Sequence, residues 1–337
     1  MIKIDPLDLD AYRKLYQLRL EEKSYDEAWC VAAVLVFVHK ADEEQMRFFE
    51  AHRPKGTPAV RGPLDDEQWL LNLFHEEENI HIGKIFEMIT PAMLRAKIET
   101  LKAKDEMPIV DASFLQDPAT STMPLARTFG WAAQALGLPS PLFYVRSDVP
   151  GSIIALANEQ PTSVAGKTLL TGFSTQDWLY VLGKHLAMYR GEHYIKTLYP
   201  TVPELTVLLF AGIKVVAPDA PSPPGNDEQI AASASKIRQH IQPAQLDGLQ
   251  TVVKKLLAGG TKVDVKRWAQ TVEVTSGRAG LLLCGDLESA KKMLAAERTQ
   301  PDGLGPVALL KELLVFWVSP QHHALRQALG IAITTRD

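Results

Sequence analysis

The sequence predicts a mainly α-helical protein of the α+β type, in which helices surround one small β-sheet. Apolar residues recur at helical spacing along most of the 337-residue chain. Only residues 142 to 166 carry short apolar runs bounded by turn residues, as strands do. The composition, 46% apolar and 23% charged with a formal net charge of -4, is typical of a soluble globular protein.

Composition divides the chain into three expected parts. Residues 1–54 form an N-terminal helical segment, residues 64–120 a helical connecting segment, and residues 121–330 the main domain. The stretch from His52 to Pro63 is rich in proline and glycine and is the expected linker. Within the connecting segment we expect a helix from Asn79 to Lys104 that breaks at Pro91, because proline removes a helical hydrogen bond.

The N-terminal segment begins with two predicted helices between Asp8 and Lys40, with a break at Lys23. Tyr12, Leu15 and the run 25–28 have the spacing of one tetratricopeptide repeat, although other positions depart from that pattern. One such repeat cannot bury its own apolar face. We therefore expect the pair to pack on the following domain and to be the last repeat of a longer protein; an ordinary helical hairpin is the alternative.

The centre of the main domain is a predicted set of three strands and a helix. The strands are expected at residues 142–145, 152–157 and 163–166. The helix is expected from Thr175 to about Arg190, because Ser174 is a good N-cap and a wide apolar face follows it.

Further helices are predicted on both sides of this centre, and one of them carries Glu273. They are expected at residues 125–136, 194–198, 202–216, 227–241, 243–258, 263–284, 287–297, 304–318 and 320–329.

The central helix belongs to the stretch LLTGFSTQDWLYVLGKHLAMYRGEH, which ends at His193. It resembles the HtpX-like and CAAX-prenyl-endopeptidase-like gluzincins, zinc metallopeptidases whose helix carries G-H-E-L-x-H-x-x-x-x-H. Gly183 matches the leading glycine, 169–170 a Leu-Leu pair, and 191–193 the trailing G-x-H, while 154–156 take the place of an Asn-Ala-Phe strand. The resemblance implies a small sheet beside an active-site helix.

A second stretch, from Glu273 to Leu283, resembles the E-x-x-A-D-R-x-G-L-L-L helix of the same family. Glu273 falls on the third zinc ligand, and Arg278 and Gly280 match, whereas Ser276 and Gly277 replace the Ala-Asp pair. The resemblance covers about residues 121 to 297.

The family's chemistry requires two histidine ligands, a general-base glutamate and a carboxylate ligand. The two histidine positions hold Lys184 and Met188, the base position holds His185, and only Glu273 remains. A lysine ammonium has no lone pair for a metal, and a thioether is a poor zinc ligand. We therefore expect no bound metal, no other cofactor and no catalysis: a pseudopeptidase.

In place of the metal, we expect an ion pair between Lys184 and Glu273, with both side chains in water as the alternative. His185 and His193 are eight positions apart, which is two turns along a helix, and both are assigned structural roles. We expect the histidine- and glutamate-rich run 75–81 to be a solvated acidic turn, and His322 and His323 to be surface residues.

The expected function is that of a non-catalytic protein-interaction or scaffold module. The resemblance implies a cleft that binds an extended peptide along a sheet edge, here Ile153, Ile154, Ala155 and Leu156. The partner would be a protein or peptide, including repeats of a longer form of its own chain. One alternative is a metal-dependent hydrolase with a rearranged site, built from His185, Met188, His193 and Glu273; another is a structural cap of a repeat array.

Charge and hydropathy restrict the other classes of function. The mildly acidic net charge does not indicate nucleic-acid binding. The longest apolar run, Ala28 to Val38, is too short to span a membrane. The two cysteines, Cys30 and Cys284, each lie in an apolar helical run and are expected to be free and buried. A cytoplasmic location is the expectation that follows.

Overall fold

A computed structural model describes residues 5–6, 8–108, 110–260, 263–297 and 302–335. The protein is mainly helical with one small four-stranded mixed sheet, as the sequence predicts. The first elements along the chain are α1 (Leu9–Glu21), α2 (Tyr25–Phe37), α3 (Glu43–His52), α4 (Asp66–Gln68), α5 (Ile80–Ala103), β1 (Leu115–Gln116) and α6 (Pro124–Ala135). The elements that follow are β2 (Leu142–Val145), β3 (Ile153–Leu156), β4 (Thr162–Ala165), α7 (Thr175–Ala187), α8 (Gly191–Leu198), α9 (Val202–Val216), α10 (Asp227–His240), α11 (Pro243–Ala258), α12 (Val265–Cys284), α13 (Leu287–Ala296), α14 (Pro306–Trp317) and α15 (Pro320–Leu329).

The strand order of the sheet is β1-β2-β4-β3. β2 and β4 are parallel, with Phe143 opposite Ser163, and β3 runs antiparallel to β4, with Ala155 opposite Ser163. β1 is a two-residue strand that pairs antiparallel with β2 and has too few residues to leave a periodic signal in the sequence. Because β3 is the last strand in this order, it is an edge strand of the sheet.

The structure differs from the predictions at two helix breaks. α5 continues through Pro91 without ending, and the hydroxyl of Thr90 donates to the carbonyl of Phe86 within the same turn. α7 ends at Ala187, and a new helix starts at Gly191 after a short turn. The second break separates His185 from His193, so the two histidines do not lie on one helix.

The apolar core consists of two clusters. The larger one includes Tyr12 and Trp29 near the N-terminus, the helices around the sheet, and residues as far as Leu329. The smaller one joins α5, α9, α10 and α11 to the first half of α12. The N-terminal helices thus share a core with the C-terminal ones, as expected of helices that cannot bury their own apolar face, while the three domain boundaries stay a prediction.

Within the described ranges, no helix is both long enough and apolar enough to cross a membrane. Cys30 and Cys284 are free and buried, as predicted.

Candidate ligand-binding site

The two stretches that carry the metallopeptidase resemblance pack directly against each other. A Cβ atom on Gly183 of α7 would lie 3.0 Å from the carbonyl oxygen of Ala279 on α12. A Cβ atom on Gly280 would lie only 2.5 Å from the carbonyl oxygen of Tyr180. The two glycines allow the helix backbones to approach closely, because they leave no side chain between them. α7 and α12 therefore form the floor of one site.

A cavity of about 290 Å³ lies beside this contact. It is lined by all four positions that the sequence resemblance assigns to zinc ligands and a general base. The lining residues are Ser152, Ile153, Val181, Lys184, His185, Met188, Lys196, Glu273, Ser276 and Glu297. Four residues that lie up to 89 positions apart in the sequence thus share one cavity with the first residue of β3.

The predicted ion pair between Lys184 and Glu273 is not formed. Among the described residues, Lys184 instead pairs with Glu297, just beyond the end of α13. Oε2 of Glu273 accepts a hydrogen bond of 3.0 Å from the backbone N–H of Leu304. Neither motif predicts this change of partner, because Glu297 lies outside both.

His185 faces the sheet. Its Nε2 lies 2.8 Å from the hydroxyl of Ser163 on β4, and the same hydroxyl lies 2.8 Å from the hydroxyl of Tyr189, which donates to the carbonyl of Thr162. Burial lowers the pKa of His185 to about 3, so the imidazole is neutral at pH 7. Ser163 is fully buried between β2 and β3, and this Ser–His contact fastens α7 to the sheet. No local sequence pattern predicts this contact, because 22 residues separate the two side chains.

His193 lies away from the cavity and is buried. Its Nε2 is 2.6 Å from Oε1 of Glu78, and Oε2 of Glu78 accepts from the hydroxyl of Thr275 at 2.6 Å. The backbone N–H of His75 donates to the same Thr275 hydroxyl. The expectation of a solvated acidic turn at residues 75–81 is therefore wrong for His75 and Glu78, which are both buried. His75 and Glu78 instead connect the start of α5 to α8 and α12 through these hydrogen bonds.

The expectation that His322 and His323 are surface residues is also wrong for His322, which is fully buried against Trp317. Burial lowers the pKa of His322 to about 3. His323 is partly exposed, and its Nδ1 lies 2.7 Å from Oδ2 of the buried Asp26. The two histidines therefore help to hold α15 against α2.

The outer edge of β3 carries backbone groups with no strand beside them. The carbonyl of Ser152 accepts from the N–H of Gly166 on the β4 side. Because hydrogen bonding alternates along an antiparallel pair, Ile154 also faces β4, whereas the N–H and C=O groups of Ile153 and Ala155 point outward. In the described sheet nothing pairs with this edge. Ile153 lines the cavity, and Ile154 on the opposite face is 48% exposed.

In the part of the chain that the structure describes, no three His, Cys, Asp or Glu side chains are arranged to hold a metal ion. His193, one member of the rearranged metal site considered above, is engaged by Glu78. The polar side chains that line the cavity are two lysines, one neutral histidine, two glutamates and two serines.

Comparison of the chain with protein-family models, with curated proteins and with solved structures found no match.

Proposed function

We propose that this chain is a non-catalytic, peptide-binding module on a metallopeptidase-like fold. The observation that carries the proposal is the open edge of β3, which borders the cavity containing Lys184, His185, Met188 and Glu273. An extended peptide can add to such an edge through main-chain hydrogen bonds, while a neighbouring pocket takes one of its side chains.

The chemistry of the cavity supports binding rather than hydrolysis. Lys184 brings an ammonium group to a position where the resembled enzymes place a metal ligand, and it is already paired with Glu297. The hydrogen bond of Glu273 to Leu304 occupies the one carboxylate that matches the family's pattern. His185 hydrogen-bonds to Ser163, so its ring holds α7 on the sheet.

The ligand in this proposal is an extended segment of a protein, either a separate partner or the repeats of a longer form of the same chain. Two free, buried cysteines suit a reducing compartment, so we place the protein in the cytoplasm. The N-terminal helices act in this proposal as a tetratricopeptide-like scaffold beside the site.

The test uses pools of fluorescein-labelled decapeptides with blocked ends, with binding measured by fluorescence polarisation. Ala155→Pro removes an outward N–H of β3 and leaves the ladder to β4 intact, because the N–H of Ala155 takes no part in it. We expect pools that bind the wild type to bind this variant about tenfold more weakly, which corresponds to ~1.4 kcal/mol. Ala155→Ser keeps the N–H and is the matched control, with unchanged affinity.

Circular dichroism of both variants checks that the fold is retained. Equal affinity of Ala155→Pro and wild type for every binding pool would rule out edge binding. If no pool binds, a structural cap of a repeat array becomes the better account. Cleavage of the peptides after zinc is added would instead support the rearranged metal-dependent hydrolase.

A further inference from the structure

Lys196 on α8 has an unusual position for a lysine. Its Nζ donates a hydrogen bond of 2.7 Å to the carbonyl of Ala269 on α12. The side chain lines the candidate site, and it also lines a second cavity of about 250 Å³ beside Pro200, Val202 and Gly303. The Lys196 side chain therefore borders two partly open cavities, each large enough for a small molecule.

The charges around Lys196 do not compensate its ammonium group by direct contact. Among the described residues it has no carboxylate partner within ion-pair distance, and its hydrogen-bond acceptor is a neutral carbonyl. Lys184 on α7 is a neighbouring cation, while Glu273 on α12 and Glu78 before α5 attract the ammonium from further away. Burial and the charge of Lys184 outweigh the two glutamates and lower the pKa of Lys196 to about 8.

A desolvated lysine next to another cation has the properties of an amine nucleophile, because a useful fraction of it is unprotonated near neutral pH. At pH 7.5 that fraction is on the order of one quarter for a pKa of about 8. For a lysine in water it is on the order of one in a thousand. The geometry adds access, since the same lysine side chain lines both cavities.

We propose that Lys196 is a covalent binding site for a small aldehyde or ketone, with Lys184 as the neighbouring cation that keeps the amine reactive. The ammonium group first loses a proton to water, and the amine lone pair attacks the carbonyl carbon to form a carbinolamine. The C–O bond then breaks, the oxygen leaves as water, and a C=N bond to Nζ remains. One carbonyl compound and one amine give one imine and one water, and no oxidant or reductant is needed. This inference does not depend on the peptide-binding proposal.

The test treats the full-length protein with propanal at pH 7.5 in the presence of cyanoborohydride, which reduces the imine to a stable amine. Peptide mass spectrometry then gives the labelling rate of each lysine. Lys214 is the internal control, because its Nζ also donates to a backbone carbonyl, that of Pro218, but at the surface. We expect Lys196 to be labelled at least tenfold faster than Lys214. A rate at Lys196 equal to or below that of Lys214 would overturn the proposal.

Two variants sharpen the result. Lys196→Arg keeps the charge and hydrogen bonding but has no such nucleophile, so the fast label should disappear from this peptide and appear nowhere else. Lys184→Met removes the neighbouring cation and leaves the Glu297 carboxylate without its ion-pair partner. Less positive and more uncompensated negative charge near Lys196 both favour its protonated form. We expect the labelling rate at Lys196 to fall severalfold in Lys184→Met, and an unchanged rate would refute the role of Lys184.

Discussion

Glu192, at the start of α8, is a buried carboxylate that is held by two cations. It pairs with Lys84 on α5 and with Arg190 in the turn after α7, and Arg190 also contacts the exposed Asp66. Burial by itself would raise the pKa of Glu192, but the hydrogen bonds and charge of Arg190 and those of Lys84 outweigh burial and lower it from 4.5 to about 2. The ion pair between Glu192 and Lys84 connects α8, which also carries His193, to the long helix α5.

We expect Glu192→Gln to destabilise the protein by about 3 kcal/mol at pH 7, the free energy that corresponds to this change in pKa. Because the pKa is lower in the folded state, the carboxylate stabilises the fold fully above pH 5 and loses this effect as the pH falls towards 2. The difference between wild type and variant should therefore shrink over that interval. Urea unfolding at several pH values measures it.

The control for this prediction is Glu159→Gln. Glu159 forms an ion pair with Lys102 in which both side chains are largely exposed, so its loss should change stability by less than about 1 kcal/mol. A difference between Glu192→Gln and wild type that is constant from pH 7 to pH 2 would show that the effect is one of packing and not of charge.

At the scale of elements, the contact between α7 and α12 explains glycines that weaken both helices when each is considered alone. Gly280 lies against the backbone of Tyr180, where no side chain fits. Gly277, one turn earlier on the same helix, meets only the side chains of Leu309 and Leu313, at 3.4 Å or more. Close packing against α7 therefore requires a glycine at position 280 and does not require one at position 277.

We expect Gly280→Ala to destabilise the protein by about 1–3 kcal/mol, since the backbones of α7 and α12 must move apart. Gly277→Ala should be neutral or stabilising by up to about 1 kcal/mol, because alanine favours the helix and its Cβ meets ordinary contacts. Chemical denaturation of both variants checks the contrast. Equal losses in the two variants would mean that helix packing does not require the glycine at position 280.

At the scale of the whole molecule, the second and last of the described helices are joined through one buried carboxylate. Asp26 on α2 accepts hydrogen bonds from Nε and Nη2 of Arg326 on α15, from Nδ1 of His323 and from the N–H of Ile333. Trp317 Nε1 adds a bond to the carbonyl of Cys30. The N-terminal helices are thus part of the same packed core as the C-terminal ones.

We expect Asp26→Ala to cost about 3–5 kcal/mol, because it leaves the buried Arg326 guanidinium without its anion. Hydrogen exchange followed by mass spectrometry should show that amides of α2 and α15 lose protection together, since one contact holds both. Loss of protection in α1 and α2 alone would instead indicate that the N-terminal segment unfolds as a separate unit.

The sequence by itself determined the mainly helical class, most helices, the three longer strands and the capping of α7 by Ser174. These features depend on local periodicity and on residues three or four positions apart, which a sequence displays directly. It also indicated that the regions around Gly183 and Glu273 belong together, through a resemblance that stays a prediction. The edge position of β3 was implied by that resemblance and follows from the observed strand order.

Only the tertiary structure decided which charged and polar groups meet. Lys184 pairs with Glu297, His193 with Glu78 and His185 with Ser163, over separations of 113, 115 and 22 residues. The same residue types occur elsewhere at the surface, and their local spacing does not distinguish a solvated charge from a buried one. Burial and the choice of partner depend on how the helices pack, and for polar groups packing sets both the desolvation cost and the attraction that offsets it.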